Sequence, residues 1–206
     1  MRVVVDWDGT VTDRDMLDAV LTEFGDPEIY AAVEADLGRT LTLNEVIARE
    51  FATVRAPLDE VVRWVGAEAR IRPGFRELAA KHRPLVVSSG FHELIEPVLA
   101  RERLDLEVRA NRLDPSPDGW RVAFRNADVC DHCGEACKRC ELPDGEVVFV
   151  GDGYADRCAA LAADRVFATN GLADYLRVRG TPFEPFRDFY DVMRVLSTPP
   201  APQAAP

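Results

Sequence analysis

Lysine is almost absent from this chain. Two occur, Lys81 and Lys138, and every other basic side chain is arginine. A codon habit produces such a bias as readily as structure does, but a surviving lysine marks a position where ammonium and guanidinium are not equivalent. No tract of several lysines or arginines in a row occurs and the net charge is −11. A nucleic-acid partner is therefore not expected, because the phosphate backbone is bound mainly by positive charge. No apolar stretch approaches bilayer length, so no membrane partner is expected either. No leader with a charged start and an apolar centre precedes the first strand, and the expected location is cytoplasmic. Internal repeats are also lacking.

With 206 residues, 47% of them hydrophobic, the chain has enough apolar material for one substantial core and a small insert. Four short apolar runs read as buried strands, Arg2–Val5, Leu85–Val87, Leu106–Val108 and Val147–Val150, with Val166–Ala168 as a fifth. Helical patterns over Phe75–His82, His92–Leu104 (with Pro97 inside) and Ala155–Ala163 lie between them. Strands alternating with helices predict an α/β fold, a three-layer Rossmann-like core around a parallel sheet. Between Thr12 and Arg70 strand signals vanish, and helices are predicted over Asp15–Phe24, Pro27–Leu37, Thr42–Val54 and Leu58–Ala69. Thr42 and Glu45 form a capping box for the third. The expected organisation is a discontinuous core, 1–12 and 71–197, a small all-helical cap over 13–70, and a disordered Pro/Ala-rich tail over 198–206. Arg109–Phe124, with Pro115, Pro117 and Gly119 at its centre, reads as a β-hairpin.

Polar clusters stand at three strand ends, where ligands collect in such sheets. Val3–Val5 runs into Asp6-Trp7-Asp8-Gly9-Thr10. Side chains alternate along a strand, so Asp6 and Asp8 point the same way. Two like charges held together raise each other's pKa, and a hard divalent cation is the usual relief. A capping turn explains one Asp-Gly more easily than two carboxylates after a buried strand. Ser88-Ser89-Gly90 ends the second strand; it reads equally as an anion site at a helix N-terminus and as an ordinary serine N-cap. Val150-Gly151-Asp152-Gly153-Tyr154-Ala155-Asp156 repeats the pattern of an apolar strand running into carboxylates. Three such ends meeting suit a magnesium ion that also binds a phosphate.

Asp6-Trp7-Asp8-Gly9-Thr10, then Ser88, Lys138 and Gly151-Asp152-Gly153-Tyr154-Ala155-Asp156, resemble the four ordered motifs of the haloacid-dehalogenase superfamily over nearly the whole chain. The helical insert, Ile71-Arg72-Pro73-Gly74-Phe75 and Ala110-Asn111-Arg112-Leu113 resemble its phosphoserine-phosphatase-like branch. The Asp-x-Asp-Gly-Thr form, the Cys-rich stretch before Lys138 and the Asp188-Phe189-Tyr190 ending are similar to methionine-salvage phosphatases acting on a diketo or enol 1-phosphate. The resemblance implies a Mg²⁺-dependent phosphatase acting on a small phosphorylated metabolite. Asp6 is the implied nucleophile, forming an aspartyl-phosphate, and Asp8 the general acid and then base. Asp6, Asp8 (through its carbonyl) and Asp152 are the implied metal ligands, with Asp156 supporting them. Ser88, Ser89 and Lys138 are the implied phosphate ligands. In the family a helix commonly separates this lysine from the fourth motif; here only Glu141–Gly145 precedes the strand. Lys81 precedes the Ser88 strand at its wrong end.

Asp15 and Arg49 match positions that in phosphoserine phosphatases hold the substrate amine and carboxylate. A helix cap and a solvated charge are their plain alternatives. The first choice of substrate is the methionine-salvage phosphate and the second phosphoserine. A phospho-acceptor module without turnover is the rival class, which an enclosing cap argues against. Cys130, Cys133, Cys137 and Cys140 lie close together in sequence, and Cys-x-x-Cys pairs suit structural Zn²⁺, although the gap between pairs is shorter than in common zinc modules. Free thiols are the alternative, since a cytoplasmic disulfide is disfavoured. A zinc knot here pins Lys138. His132 is a possible extra ligand, and Cys158 is expected in the core.

Overall fold

The computed structural model describes residues 1–125 and 128–197, and the expected tail, 198–206, lies outside them. β1 (Arg2–Val5) leads into four helices, α1 (Met16–Phe24), α2 (Pro27–Glu34), α3 (Leu43–Phe51) and α4 (Leu58–Glu68). Then come α5 (Phe75–His82), β2 (Leu85–Phe91), α6 (His92–Glu102), β3 (Val108–Asp114) and β4 (Arg121–Ala123). The chain ends with β5 (Val147–Gly151), α7 (Arg157–Ala160), β6 (Arg165–Ala168), α8 (Asn170–Arg179), β7 (Glu184–Pro185) and α9 (Phe189–Leu196). Short 3-10 turns cover Lys138–Glu141 and Tyr154–Asp156. Among the described residues no helix is long and apolar enough to cross a membrane.

The strands form one sheet in the order β4-β3-β2-β1-β5-β6-β7. All neighbours pair in parallel except β3 and β4. Both faces are covered, as the alternation along each central strand requires. Val3, Val5, Val86, Val148 and Val150 join one core, while Val4, Leu85, Val87, Val147 and Phe149 join the other. Each such side chain contributes roughly 1.5–3 kcal/mol by leaving water. From β1 the chain moves outward through β2 and β3, then returns to β1's other side at β5. That reversal opens a crevice at the carboxyl ends of β1, β2 and β5.

The helices α1–α4 leave and rejoin the sheet at one place. Asp13 N–H donates to the Arg70 carbonyl (3.0 Å) and Arg72 N–H to the Val11 carbonyl (2.8 Å), with Thr12 bridging Ile71. Asp15 and Asp26 cap α1 and α2, and the Thr42–Glu45 capping box is formed at both halves. Phe51 of α3 packs edge-on against Phe91 of β2 (4.6 Å) and stacks on Trp120 (6.4 Å). The Trp120 indole donates to the Ala56 carbonyl at 3.0 Å. The β3–β4 hairpin therefore anchors α3 to the sheet.

Several boundaries differ from the sequence expectation: α2, α3 and α6 stop at Glu34, Phe51 and Glu102, short of their expected ends at Leu37, Val54 and Leu104, and three further differences have a local cause. β2 runs on to Phe91, past Ser88, because its pairing with β3 shifts register between Val87 and Phe91 and resumes at Asn111. The third strand begins at Val108 instead of Leu106 and runs on to Asp114, its first half (Val108–Asn111) pairing with β2 and its second (Arg112–Asp114), antiparallel, with β4. The expected helix over Ala155–Ala163 is a 3-10 turn followed by the four-residue α7, because the Asp156 side chain is taken up by the loop before it.

Candidate active site

Asp6 continues the β1 ladder: its N–H donates to the Val150 carbonyl at 2.9 Å. The chain then turns sharply, with Thr10, Val11 and Thr12 N–H groups all donating to the Trp7 carbonyl. Gly9 makes that turn possible with a φ of +73°, and a Cβ there would lie 2.4 Å from Asp152 Oδ2. Arg72 clamps the turn from outside, donating to the Thr10 carbonyl (2.8 Å), the Gly9 carbonyl (2.6 Å) and the Arg187 carbonyl (2.9 Å).

Lys138 is the centre of the cluster. It is 2% exposed, and its ammonium donates to Asp6 Oδ1 at 2.5 Å and Asp156 Oδ1 at 2.7 Å. A short 3-10 turn, where the resemblance implies a longer helix, carries Lys138 and delivers its side chain to the cluster. Asp156, fully buried, uses its other oxygen to accept the N–H groups of Asp152 (2.8 Å) and Gly153 (3.0 Å). Asp152 accepts from the Thr10 hydroxyl at 2.9 Å and from the Asn170 amide at 3.3 Å. Carboxylate oxygens of Asp6, Asp152 and Asp156 lie within 4.8 Å of one another. Asp156 is committed to Lys138 and the loop, so Asp6 and Asp152 keep lone pairs for a cation. The donor set is all hard oxygen and fits Mg²⁺.

Asp8 is set apart from that trio. The Ser88 hydroxyl donates to Asp8 Oδ2 at 3.3 Å, and Ser88 Oγ accepts from Gly90 N–H at 2.8 Å. Ser88 is not a helix cap: α6 starts at His92 with Phe91 at its cap position. Ser89 lines the cleft beside it.

Electrostatics separate the roles further. Burial, and then the Asp156 charge, hold Asp6 well above the ordinary carboxyl range, with Lys138 opposing them. Burial lifts Asp8 to about 7 against the pull of Lys138 and Ser88. Asp152 is raised by burial and Asp156. Burial alone would lower Lys138, but Asp156 and Asp6 outweigh it and raise its pKa.

Above the carboxylates the cleft is walled by α1–α3. Asp15, Asp18, Glu34 and Glu50 line it together with Leu17, Leu21, Val46 and Ile47. Asp15 lines this cleft while capping α1 through the Leu17 and Asp18 N–H groups. Arg49, in contrast, is exposed and does not line the cleft. A helix turns about 100° per residue, so its neighbour Glu50 takes the inward face. Glu50 is raised to about 8 by burial and by Glu34 and Asp18, and its Oε1 has no hydrogen-bond partner among the described residues.

Sequence reading did not foresee the supports behind these groups. Arg125 donates to the Ser88 carbonyl at 2.7 Å and pairs with Glu141, one turn after Lys138. Asn111 donates to the Ser89 carbonyl at 2.8 Å. Arg72 and Asn111 lie in segments that carry the resemblance, yet neither contact was expected of them, and Asn170 carried no signal. The cysteines also regroup. Thiols of Cys130, Cys133, Cys137 and Cys158 lie within 4.8 Å of one another, so Cys158 stands where Cys140 was expected. In a 3-10 turn side chains step by a third of a circle, which sends Lys138 inward and leaves Cys140 exposed.

Residues 3–161 match the family of haloacid dehalogenase-like hydrolases. The chain is 31% identical to a 2-hydroxy-3-keto-5-methylthiopentenyl-1-phosphate phosphatase of Brevibacillus brevis, over 93% of this chain and 92% of the relative. It is 30% identical to the protein of the same name from Geobacillus thermodenitrificans, over 91% of each. Among solved structures, phosphoserine phosphatase from T. onnurineus aligns with a TM-score of 0.66 at 20% identity, covering 95% of this chain and 93% of that one. A phospho-aspartyl intermediate analogue of phosphoserine phosphatase aligns at 0.69 with 18% identity, covering 94% and 97%. The fold is shared with these structures, and with the family match and the curated relatives it leaves one reading: the chain belongs to the haloacid dehalogenase-like hydrolases and is a phosphatase of that family.

Proposed function

We propose that this phosphatase uses Mg²⁺ and an aspartyl-phosphate on Asp6 to hydrolyse a small phosphomonoester without a carboxylate, of the methionine-salvage 1-phosphate kind. The observation that carries the catalytic half is the division between Asp6 and Asp8. Asp6 pairs with Lys138 within the carboxylate trio, while Asp8 accepts from Ser88 with a pKa near 7.

Asp6, its carboxylate paired with the Lys138 ammonium, attacks phosphorus as the bond to the leaving oxygen breaks. Asp8 gives its proton to that oxygen. A water then attacks the phosphoryl group, passes a proton to Asp8, and the bond to Asp6 breaks to free inorganic phosphate. A carboxyl poised near the working pH suits both halves. Asp6, the Asp8 carbonyl and Asp152 are the proposed ligands of Mg²⁺, which supplies charge to the transferring phosphoryl group. Lys138 with Ser88 and Ser89 takes up the remaining phosphoryl oxygens, and positioning with charge stabilisation does the rest.

The substrate half rests on the cleft wall. Lys138 is the only cation among the described residues lining it, and Asp15, Asp18, Glu34 and Glu50 supply acid. A phosphoserine carboxylate would meet repulsion there with no guanidinium to pair with, which disfavours the role expected of Arg49. A chain of hydroxyl and carbonyl groups with an apolar end suits Leu17, Leu21, Val46 and Ile47 beside protonated or hydrogen-bonding acids. Two curated relatives carry that substrate in their names. In this reading residues 13–70 are a cap over a core of 1–12 and 71–197, and the paired entrance and exit at Asp13 and Arg72 is its hinge.

A panel of small phosphates assayed with Mg²⁺ tests the proposal. Expected are turnover that chelator abolishes and Mg²⁺ restores, a kcat/KM for the methionine-salvage phosphate well above that for phosphoserine, and loss of activity in Asp6→Asn. A preference for phosphoserine overturns the substrate half. Stable phosphorylation with no turnover assigns a phospho-acceptor module instead.

A further inference from the structure

We propose that Cys130, Cys133, Cys137 and Cys158 bind one structural zinc ion as four thiolates. Their sulfurs lie within 4.8 Å of one another, and Cys130 Sγ and Cys158 Sγ are 3.9 Å apart. Four sulfurs at about 2.3 Å from a tetrahedral zinc stand about 3.8 Å from each other. A disulfide needs about 2.05 Å, and all five cysteines are free.

The backbone around the thiols is folded as ligand turns. Gly134 N–H donates to the Cys130 carbonyl (2.8 Å) and Cys130 N–H to the Glu135 carbonyl (3.0 Å). Burial opposes ionisation at Cys130, but the backbone N–H groups of His132 and Cys133 beside its sulfur favour its thiolate; at Cys137 burial raises the thiol and the Arg139 N–H works against it. Hydrogen bonds from successive amides stabilise thiolate over thiol and hold the sulfur's direction. Neutral thiols gain little from converging in this way, because each is a weak donor and weak acceptor. Four soft donors in a tetrahedron select zinc or an iron–sulfur cluster among biological metals; with no further ligand called for, zinc is the simpler occupant.

Placement gives the ion its purpose. Cys137 immediately precedes Lys138, and Cys158 stands two residues beyond Asp156. The site thus ties together the two backbone segments whose side chains make the buried Lys138–Asp156 pair. The turn at Lys138–Glu141 is short and follows a loop with little regular structure. A metal cross-link supplies the rigidity that a longer helix would give. The inference does not depend on which phosphomonoester the enzyme hydrolyses.

The test is the metal content of the full-length protein purified without chelator under reducing conditions. One zinc per chain is expected besides any magnesium. Cys137→Ser and Cys158→Ser should drop it to background, and Cys140→Ser should keep it. Because a ligand variant that fails to fold leaves no protein to assay, two measurements on the wild type stand beside these. Co²⁺ exchange should give the intense visible spectrum of a tetrahedral tetrathiolate. Thiol titration of the loaded protein should modify Cys140 quickly, with all five cysteines reacting after chelator. Protein without zinc that takes none up from added Zn²⁺, or four rapidly reacting thiols in zinc-treated protein, overturns the site. Loss of zinc in Cys140→Ser with retention in Cys158→Ser overturns the ligand set, and a brown iron chromophore overturns the choice of metal.

Discussion

Lys138 donates to Asp156 at 2.7 Å with neither side chain exposed by more than 2%. The same carboxylate organises the Asp152–Gly153 turn through its second oxygen. One buried ion pair therefore joins the proposed phosphate-binding cation to the loop that carries a proposed metal ligand. Removing Asp156 leaves Lys138 with Asp6 as its carboxylate partner and strips the Asp152 and Gly153 N–H groups of their acceptor; breaking a buried pair in this way costs up to about 3–5 kcal/mol. Asp156→Ala should lower unfolding free energy in urea by that order and reduce kcat. Loss of kcat without loss of stability would show that the pair is not structural.

Asp8→Asn should lower kcat by about 10²–10⁴, the usual size of acid–base assistance. Asp8 titrates near 7, and the first half-reaction needs its proton. That half-reaction should therefore slow as pH rises through about 7 for an alkyl phosphate. The limb should flatten in the variant and with p-nitrophenyl phosphate, whose leaving group needs no proton. Single-turnover phosphoenzyme formation across pH checks this. Magnesium affinity should be spared, because the proposed ligand is the Asp8 carbonyl.

Glu50 stabilises nothing as an anion. Its pKa rises from 4.5 to about 8, so the folded state holds a proton that the unfolded chain has released over that window. Stability is full below about 4.5 and declines as pH climbs to about 8. Glu50→Gln should thus be nearly neutral at pH 4.5 and stabilising at pH 8.5, with a gap on the order of a few kcal/mol at about 1.4 kcal/mol per pKa unit. Chemical denaturation at the two pH values measures it; equal effects at both would contradict the shift.

Gly9→Ala tests the close approach beneath the metal-type trio. The added methyl would meet Asp152 Oδ2 at 2.4 Å, in a left-handed backbone conformation that costs about 1–3 kcal/mol for other residues. Asp152 must shift, so the Kd for Mg²⁺ should rise by roughly tenfold or more, at about 1.4 kcal/mol per decade. Calorimetric titration reads this directly, and unchanged affinity would remove Asp152 from the ligand set.

Much of the site was legible because its chemistry sits at strand ends, where local pattern and position coincide. The Val3–Val5 run ending in Asp6-x-Asp8 and the Val147–Val150 run leading to Asp152 each name a strand, its burial and its polar tip within a few residues. The Thr42–Glu45 capping box was visible for the same reason, since both halves of the interaction lie within one turn. Arg49 and Glu50 show where that reasoning stops: adjacent helical residues differ by about 100°, and only docking against the sheet through Phe51 and Trp120 chose the inward one.

The sequence by itself determined the parallel α/β core, the helical insert after the first strand, and the ordered carboxylates and lysine, because alternation, capping and turn chemistry act over a few neighbouring residues. Tertiary structure alone decided the rest. It brought Lys138 onto Asp6 and Asp156, set Arg125 between Ser88 and Glu141, turned the cleft wall acidic, and exchanged Cys140 for Cys158 in the thiol cluster. Each of these joins residues far apart in sequence, so their meeting depends on how the sheet closes and how its loops pack.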